Sequence, residues 1–475
     1  MPRLPTEEED NITGCCGLSR FFSNNNNNKT LISISADEEK KSFSPYTYSA
    51  IPSMDNLPAY EDCISRAFEQ LDMKQDNILE NIVQDALTKV DKDLRTISLD
   101  LHEHMEVGMK EKHAHDLLTG YMEKQGFKIT RHAYGMETAF MAEYSRGQGG
   151  RRVGICSEYD GLPGLGQGCG HNLIAISGLA AAIGIKAAME NNKVEGKVIL
   201  FGTPAEELSI GKIQLVNKRA FQDNVDVCLM LHPSAVGAPY AQMIAVQDVK
   251  VEFFGKPTHA AASPWEGVNA LDAMVQLWNN ISMMRQQLMP TDRVHGIVTD
   301  GGQAPNVIPA HTSAFFFVRT PKYTELKRVM DKMEGCFEAA AIATGCKVKW
   351  TWRETPTKDV VQNNIMAATY GKYMEKAGVQ FPPRQAQEQG GGGSTDMGNV
   401  SYVVPSIHPM FAIHTTASNH TVEFTKAAKT IQAHQDTMLA SKSLALTALH
   451  VYTSESYYKA VKKDFNDHVP LDEQH

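Results

Sequence analysis

"RRVGICSEYDGLPGLGQGCGHNLIAISGLAAAIGIKAAMENN", residues Arg151–Asn192, contains a strand, a glycine turn and a helix in one uninterrupted run. RRVGICSEYD is a short β-rich segment that ends in polar residues. Leu173–Glu190 is apolar and follows the turn directly, which reads as a helix. KVILFGTPAEE and VDVCLMLHP repeat the pattern of a short apolar run closed by polar residues, with helical segments between. This alternation predicts an α/β domain with a mostly parallel sheet covered by helices. The turn itself sets Cys169 and His171 two residues apart at the mouth of a helix. A free cysteine is commonly a small buried hydrophobe. A thiolate is also favoured by a helix N-terminus, and a Cys/His pair suits zinc.

Open α/β sheets bind ligands at the carboxyl ends of their strands. Asp160, Glu206, Glu207 and His232 all fall just after such ends, and Cys169 and His171 lie in the loop after the first of them. Taken singly, each has a plain structural use as a cap or a solvated turn. Their joint placement on one rim points to a metal-assisted hydrolase. The doublet Glu206–Glu207 provides one carboxylate to hold metal and one to take a proton from water.

Around this rim the chain is too long, at 475 residues, for one ordinary core, so two domains are expected. Hydrophobic content of 42% and charged content of 21% suit a globular protein. A net charge of −9 without a long basic run argues against nucleic acid as a partner. The eight cysteines are scattered, which fits a reducing compartment, and a cytoplasmic location is expected. The acidic N-terminus does not read as a secretory signal, no apolar run is expected to span a bilayer, and no membrane partner is expected. The Cys15–Cys16 pair offers a lipidation site, although adjacent cysteines in polar tails are more often unmodified.

Residues 1–56 carry the homopolymer Asn24–Asn28 and read as a disordered tail. The segment from about 60 to 126 has helical apolar spacing. Its HEHME tetrad-plus-one fails as a zinc-protease motif, because Glu106 stands where a second spaced histidine is needed. His102 and His104 are therefore read as ordinary helix-surface residues. From 248 to 356 the order changes to β-α-β-β-α-β, which is ferredoxin-like. The predicted division is a catalytic domain of residues 57–247 and 357–470, interrupted by a lid of residues 248–356.

The stretches SEYDGLPGLGQGCGHN, GTPAEE, MLHP, GKPTHAAASPWEGVNALDA and GGQAPNVIPAHTSAFFFVR resemble peptidase family M20. The resemblance runs from about residue 60 to 460. It is nearest to the amidohydrolase subfamily, and within it to dipeptidases that cleave β-alanyl-lysine or Xaa-Arg bonds. It implies a zinc-exopeptidase-like catalytic domain and an inserted α+β lid that also dimerises. Where most of the family has H-x-D, this chain has Glu158-Tyr159-Asp160, the mark of the branch in which a Cys-Gly-His turn supplies ligands. By that match Cys169, His171, Glu207 and His232 bind metal, Glu206 is the general base, and Asp160 orients a ligand. The last ligand is His420 in NHTVEF, with His414 in FAIHTT as the competitor. Gln167 stands where the subfamily often has histidine. His259, Asn306 and Arg319 match positions that contact substrate, with His259 reaching a neighbouring subunit and Arg319 expected to meet a carboxylate.

The resemblance further implies a homodimer, two divalent ions per subunit with zinc first and manganese or cobalt as substitutes, and a small peptide or N-acyl amino acid as substrate. Three other readings stand beside the dipeptidase: an N-acyl amino acid amidohydrolase, a carboxypeptidase on longer chains, and a non-catalytic scaffold of the same fold. Asp396, in GGGGSTDMGNVS in a flexible loop, could meet a basic substrate group, but a turn-forming aspartate beside glycines is the commoner case.

Overall fold

The computed structural model describes residues 73–192, 194–208, 210–389 and 392–474. The tail 1–56, including Asn24–Asn28 and Cys15–Cys16, lies outside them. Five strands of the main sheet come early in the chain: β1 (Lys128–Arg131), β2 (Phe140–Arg146), β3 (Arg151–Ser157), β4 (Gly196–Gly202) and β5 (Val227–Leu229). Two short strands, β6 (His232–Ser234) and β12 (Met410–Ala412), pair in parallel beside them. The sixth strand of the main sheet is β11 (Ser406–Ile407). The spatial order is β1-β2-β4-β3-β5-β11. The four strands from β4 to β11 run parallel, and β2 and β1 add an antiparallel edge. The predicted mostly parallel sheet is therefore present, with that edge as an addition.

β3 and β4 are buried along nearly their whole length, as expected of strands covered on both faces. The helix His171–Asn192 packs on β3 and β4 and is itself enclosed by the helices Met73–Glu103 and Ile431–Thr453. Contrary to the expectation that no apolar run reaches membrane-spanning length, one helix among the described residues does. His171–Asn191 is long and apolar enough to cross a membrane, with a mean hydropathy of 1.6 over its most apolar window. In this fold 89% of that window is buried inside the protein. A helix apolar on every side is what the centre of a layered fold requires. Gly178 permits its close approach to the sheet, since a Cβ there would lie 2.0 Å from Ser157 Oγ.

The remaining strands are β7 (Ala245–Phe254), β8 (Arg293–Asp300), β9 (His311–Thr320) and β10 (Lys347–Trp352). They form an antiparallel sheet in the order β10-β7-β9-β8, with the helices Ala270–Met284 and Leu326–Thr344 on one face. Val249, Val251, Phe316 and Val318 point into this second core with Met274, Leu277, Met333 and Phe337. Side chains alternate along a strand, so Asp248, Phe315, Phe317 and Arg319 lie on the opposite face. The chain enters and leaves this unit at one place, where Val246 and Thr357 exchange backbone hydrogen bonds of 2.9 and 3.0 Å.

His450 lies in the first core on the helix Ile431–Thr453, with its Nε2 2.7 Å from Tyr373 Oη. Burial lowers its pKa from 6.5 to about 4, so the folded protein holds the ring neutral. Its contribution to stability is complete above pH 6.5 and is lost as pH falls towards 4. Urea unfolding across that interval should show stability falling by up to about 1.4 kcal/mol per pH unit from this group. The slope should be shallower in His450→Gln, and an unchanged slope would contradict the assignment.

Candidate metal centre

β3, β4 and β5 end side by side, and the loops beyond them carry the polar residues read from the sequence. Cys169 and His171 flank Gly170, whose φ of 80° belongs to the left-handed region that favours glycine. A Cβ at Gly170 would also come within 2.7 Å of Pro233 Cγ. His171 opens the central helix, and Gln167 Oε1 accepts the Asn172 N–H at 3.1 Å. Gln167 Nε2 in turn donates to Leu101 O at 3.3 Å, so Gln167 anchors the helix mouth. The loop carrying His420 is tied to the same turn, because His420 N donates to Gly168 O at 2.8 Å.

His171 is fully buried and is surrounded by carboxylates. Its Nδ1 lies 3.1 Å from Asp160 Oδ1, and its Nε2 lies 3.5 Å from Glu158, 3.8 Å from Glu207 and 3.9 Å from Glu206. Asp160 Oδ2 accepts the Glu207 N–H at 3.0 Å, so one carboxylate fixes both a ring and the adjoining turn. Cys169 Sγ is 3.4 Å from His232 Nε2, and His420 Nε2 is 3.5 Å from Glu207 Oε2. The structure thus brings together Cys169, His171, Glu207, His232 and His420, with Glu206 and Asp160 against them. His414 lies apart, exposed and paired with Asp436 at 2.7 Å.

These residues suit a metal. Cys169, His171 and His232 form one group, and Cys169, Glu207 and His420 a second; Glu158, His171 and Glu206 form a third. Within each group the ligand atoms lie within 4.8 Å of one another. His171 Nε2, Glu207 Oε1 and Glu158 Oε2 are buried without a hydrogen-bond partner, an arrangement that a cation between them would satisfy. Burial opposes a thiolate at Cys169, yet the imidazoles of His232 and His171 hold its pKa well below the usual thiol value. Burial, with the Glu158 and Asp396 charges, pushes the Glu206 carboxyl well above the carboxylate range, a bias suited to proton transfer. Cys169→Ala is expected to lower metal bound per chain in elemental analysis. Cys228→Ala should not, since Cys228 lies buried within β5. Equal metal in both variants would make Cys169 a packing residue only.

Several residues at the site were not foreseen. Lys212 is fully buried, and its Nζ contacts both Glu158 and Asp396, the latter at 2.6 Å. Asp396 stands in a turn, as expected, at the start of the short helix Met397–Ser401. It is buried, and its second oxygen accepts the Lys212 N–H at 2.7 Å. A buried ammonium must be paired, so the two carboxylates and the lysine hold one another in place. Glu111 accepts the Ala205 N–H at 2.8 Å and supports the positive φ of 56° at Ala205, the residue that sets the Glu206 turn. His408 is buried with its ring 5.5 Å from that of His232.

A cavity of about 1090 Å³ opens on the cluster. Cys169, Glu206, Glu207, His232 and His420 line one side, and Asp248, Phe315, Phe317, Arg319 and Arg353 of the inserted unit line the other. Arg319 does not meet the expected carboxylate. Its guanidinium donates to Ser394 Oγ at 2.8 Å and to His295 Nε2 at 3.3 Å. His259 and Asn306 are exposed, are joined through the Ala260 N–H to Asn306 O bond of 3.0 Å, and do not line this cavity.

Residues 246–360 match the sequence profile of the M20 peptidase dimerisation domain. Over 371 residues the chain is 43% identical to the Xaa-Arg dipeptidase of Mus musculus, covering 76% of this chain and 86% of that one. It is 41% identical over 375 residues to the Xaa-Arg dipeptidase of Homo sapiens, with the same coverage of both chains. The fold is similar to a dinuclear metal-binding M20 peptidase of Bacillus subtilis, with a TM-score of 0.59 and 20% identity over 77% of this chain and 99% of that one. It is also similar to an aminobenzoyl-glutamate utilization protein of Klebsiella pneumoniae, with a TM-score of 0.60 and 16% identity over 78% and 99% of the two chains.

Proposed function

The chain belongs to the M20 peptidase family, and from that premise we propose that it is a metal-dependent dipeptidase acting on Xaa-basic dipeptides. The observation that carries this reading is the placement of Glu206 beside the Cys169/His171/Glu207/His232/His420 set, on one wall of a cavity whose other wall presents Arg319. The donor set of thiolate, imidazole and carboxylate favours zinc, with manganese or cobalt as substitutes, and Cys169, His171, Glu207, His232 and His420 would hold up to two such ions. A bound divalent ion would polarise the scissile carbonyl and acidify water. Glu206 takes a proton from the attacking water and returns it to the leaving amine. Asp160 keeps the His171 ring and the Glu207 turn in register with it. Arg319, which has no carboxylate partner among the described residues, receives the carboxylate of the substrate.

His259 acts in the cavity of a partner subunit. Its Nδ1 accepts the N–H groups of Ala261 and Ala262, both at 3.2 Å, which places the proton of the neutral ring on Nε2 as an outward donor for an oxyanion. Asn306 stands beside it. A homodimer built on the inserted unit suits the edge position of β8 and its exposed Ile297 and Val298. A panel of zinc-loaded reactions, read by released amine, tests the reading. It should include β-alanyl-lysine, alanyl-arginine, N-acetyl amino acids and an indole-acetyl amino acid. Turnover of the basic dipeptides above the others is expected; turnover of the N-acyl compounds alone would replace dipeptidase with amidohydrolase.

A further inference from the structure

Three carboxylates line the cavity among the described residues: Glu206, Glu207 and Asp248. The first two belong to the metal centre. Asp248 stands alone on the opposite wall, on β7 of the inserted sheet. We infer that Asp248 is the specificity residue of the site and pairs with the cationic side chain of the residue on the leaving side of the scissile bond. This rests on the dipeptidase reading above.

Register gives the spacing. Asp248 is paired with Phe317 and Val246 with Arg319, so Asp248 and Arg319 are diagonal neighbours on the same sheet face. Diagonal neighbours in an antiparallel pair lie roughly 7–8 Å apart. An arginine side chain reaches its guanidinium carbon through five bonds of about 1.5 Å each, which when extended spans about 6 Å. A C-terminal arginine or lysine with its carboxylate on Arg319 can therefore set its cation against Asp248. Phe317, directly opposite Asp248, lies between them, and Phe315 lines the cavity just beyond Asp248, with the two ring centroids 5.5 Å apart. They offer an apolar wall to the methylene stem and a π face to the cation.

Asp248 is held ready for this. Its Oδ1 pairs with Arg353 Nε at 2.8 Å, and Arg353 N donates to Asp248 O at 3.0 Å. Among the described residues no hydrogen bond engages Oδ2. Arg353 thus fixes the carboxylate while one oxygen remains for a ligand.

The test compares kcat/KM for alanyl-arginine and alanyl-citrulline, which differ little in shape and by one charge. Zinc-loaded wild-type protein should prefer arginine by about 10–100-fold, the range of a hydrogen bond to a charged group. Asp248→Asn should bring the ratio near unity, and Asp248→Glu should keep a clear preference for arginine. Should Asp248→Asn fail to fold because the Arg353 charge is no longer balanced by a carboxylate, Asp248→Asn/Arg353→Gln carries the same comparison with both charges removed. An unchanged ratio in the Asn variant, or no preference in the wild type, overturns the assignment and leaves the dipeptidase reading standing. Failure of the wild type to cleave either dipeptide, with N-acyl compounds turned over, overturns both.

Discussion

Glu206→Gln is expected to lower turnover by about 10³-fold or more, at the upper end of what a positioned proton-transfer group contributes. The amide keeps the size and one hydrogen-bonding oxygen of the carboxylate but cannot take a proton from water. The loss should appear in kcat with metal content unchanged, because Glu207 lies nearer His420 and Cys169 and remains intact. Elemental analysis and rate must be measured on the same sample. Near-normal turnover with full metal would move the base elsewhere. Loss of metal together with rate would make Glu206 a ligand, as its place beside Glu158 and His171 allows.

The second large effect concerns His259, which is exposed and does not line its own cavity. Removing an oxyanion donor costs about 10²–10³ in kcat. His259→Ala should show that loss with metal content and dimer intact. Mixing it with Glu206→Gln and allowing subunit exchange should restore activity. In a mixed dimer one site combines Glu206 of the first chain with His259 of the second. At equal mixing about one quarter of sites regain both groups in a two-fold dimer. No recovery after exchange has been verified by mass would place His259 within its own chain's site or outside the mechanism.

What could be read beforehand followed from strand ends and alternation. Asp160, Glu206–Glu207 and His232 were legible because each closes an apolar run in an α/β pattern, and the loop after the first run supplied Cys169 and His171. The inserted sheet was legible because its strands alternate in side-chain character and its two helices are long. The antiparallel strands β1 and β2 were not, β1 being four mostly exposed residues and β2 turning polar over its second half. Lys212 gave no signal, since it lies in a seven-residue helix and its burial depends on Glu158 and Asp396, 54 and 184 residues away. The burial of Asp396 was not legible for the same reason, because neighbouring glycines announce the turn while only the fold reveals the ammonium beside it. Arg319 was placed in the site, but its Ser394 partner lies 75 residues further on and no local pattern announces it. Asp248 sits at the start of a strand like any solvent-facing residue. Its meaning came from the cavity wall it shares with Arg319.

The central claim is that Cys169, His171, Glu207, His232 and His420 hold metal that hydrolysis requires. The most direct test is to strip the full-length protein of metal with a chelator, verify this by elemental analysis, and titrate zinc while following alanyl-arginine hydrolysis. The metal-free protein should be inactive, and activity should rise and saturate near about two equivalents per chain, as two-metal hydrolase sites require. Undiminished hydrolysis by protein verified to be metal-free would contradict the account.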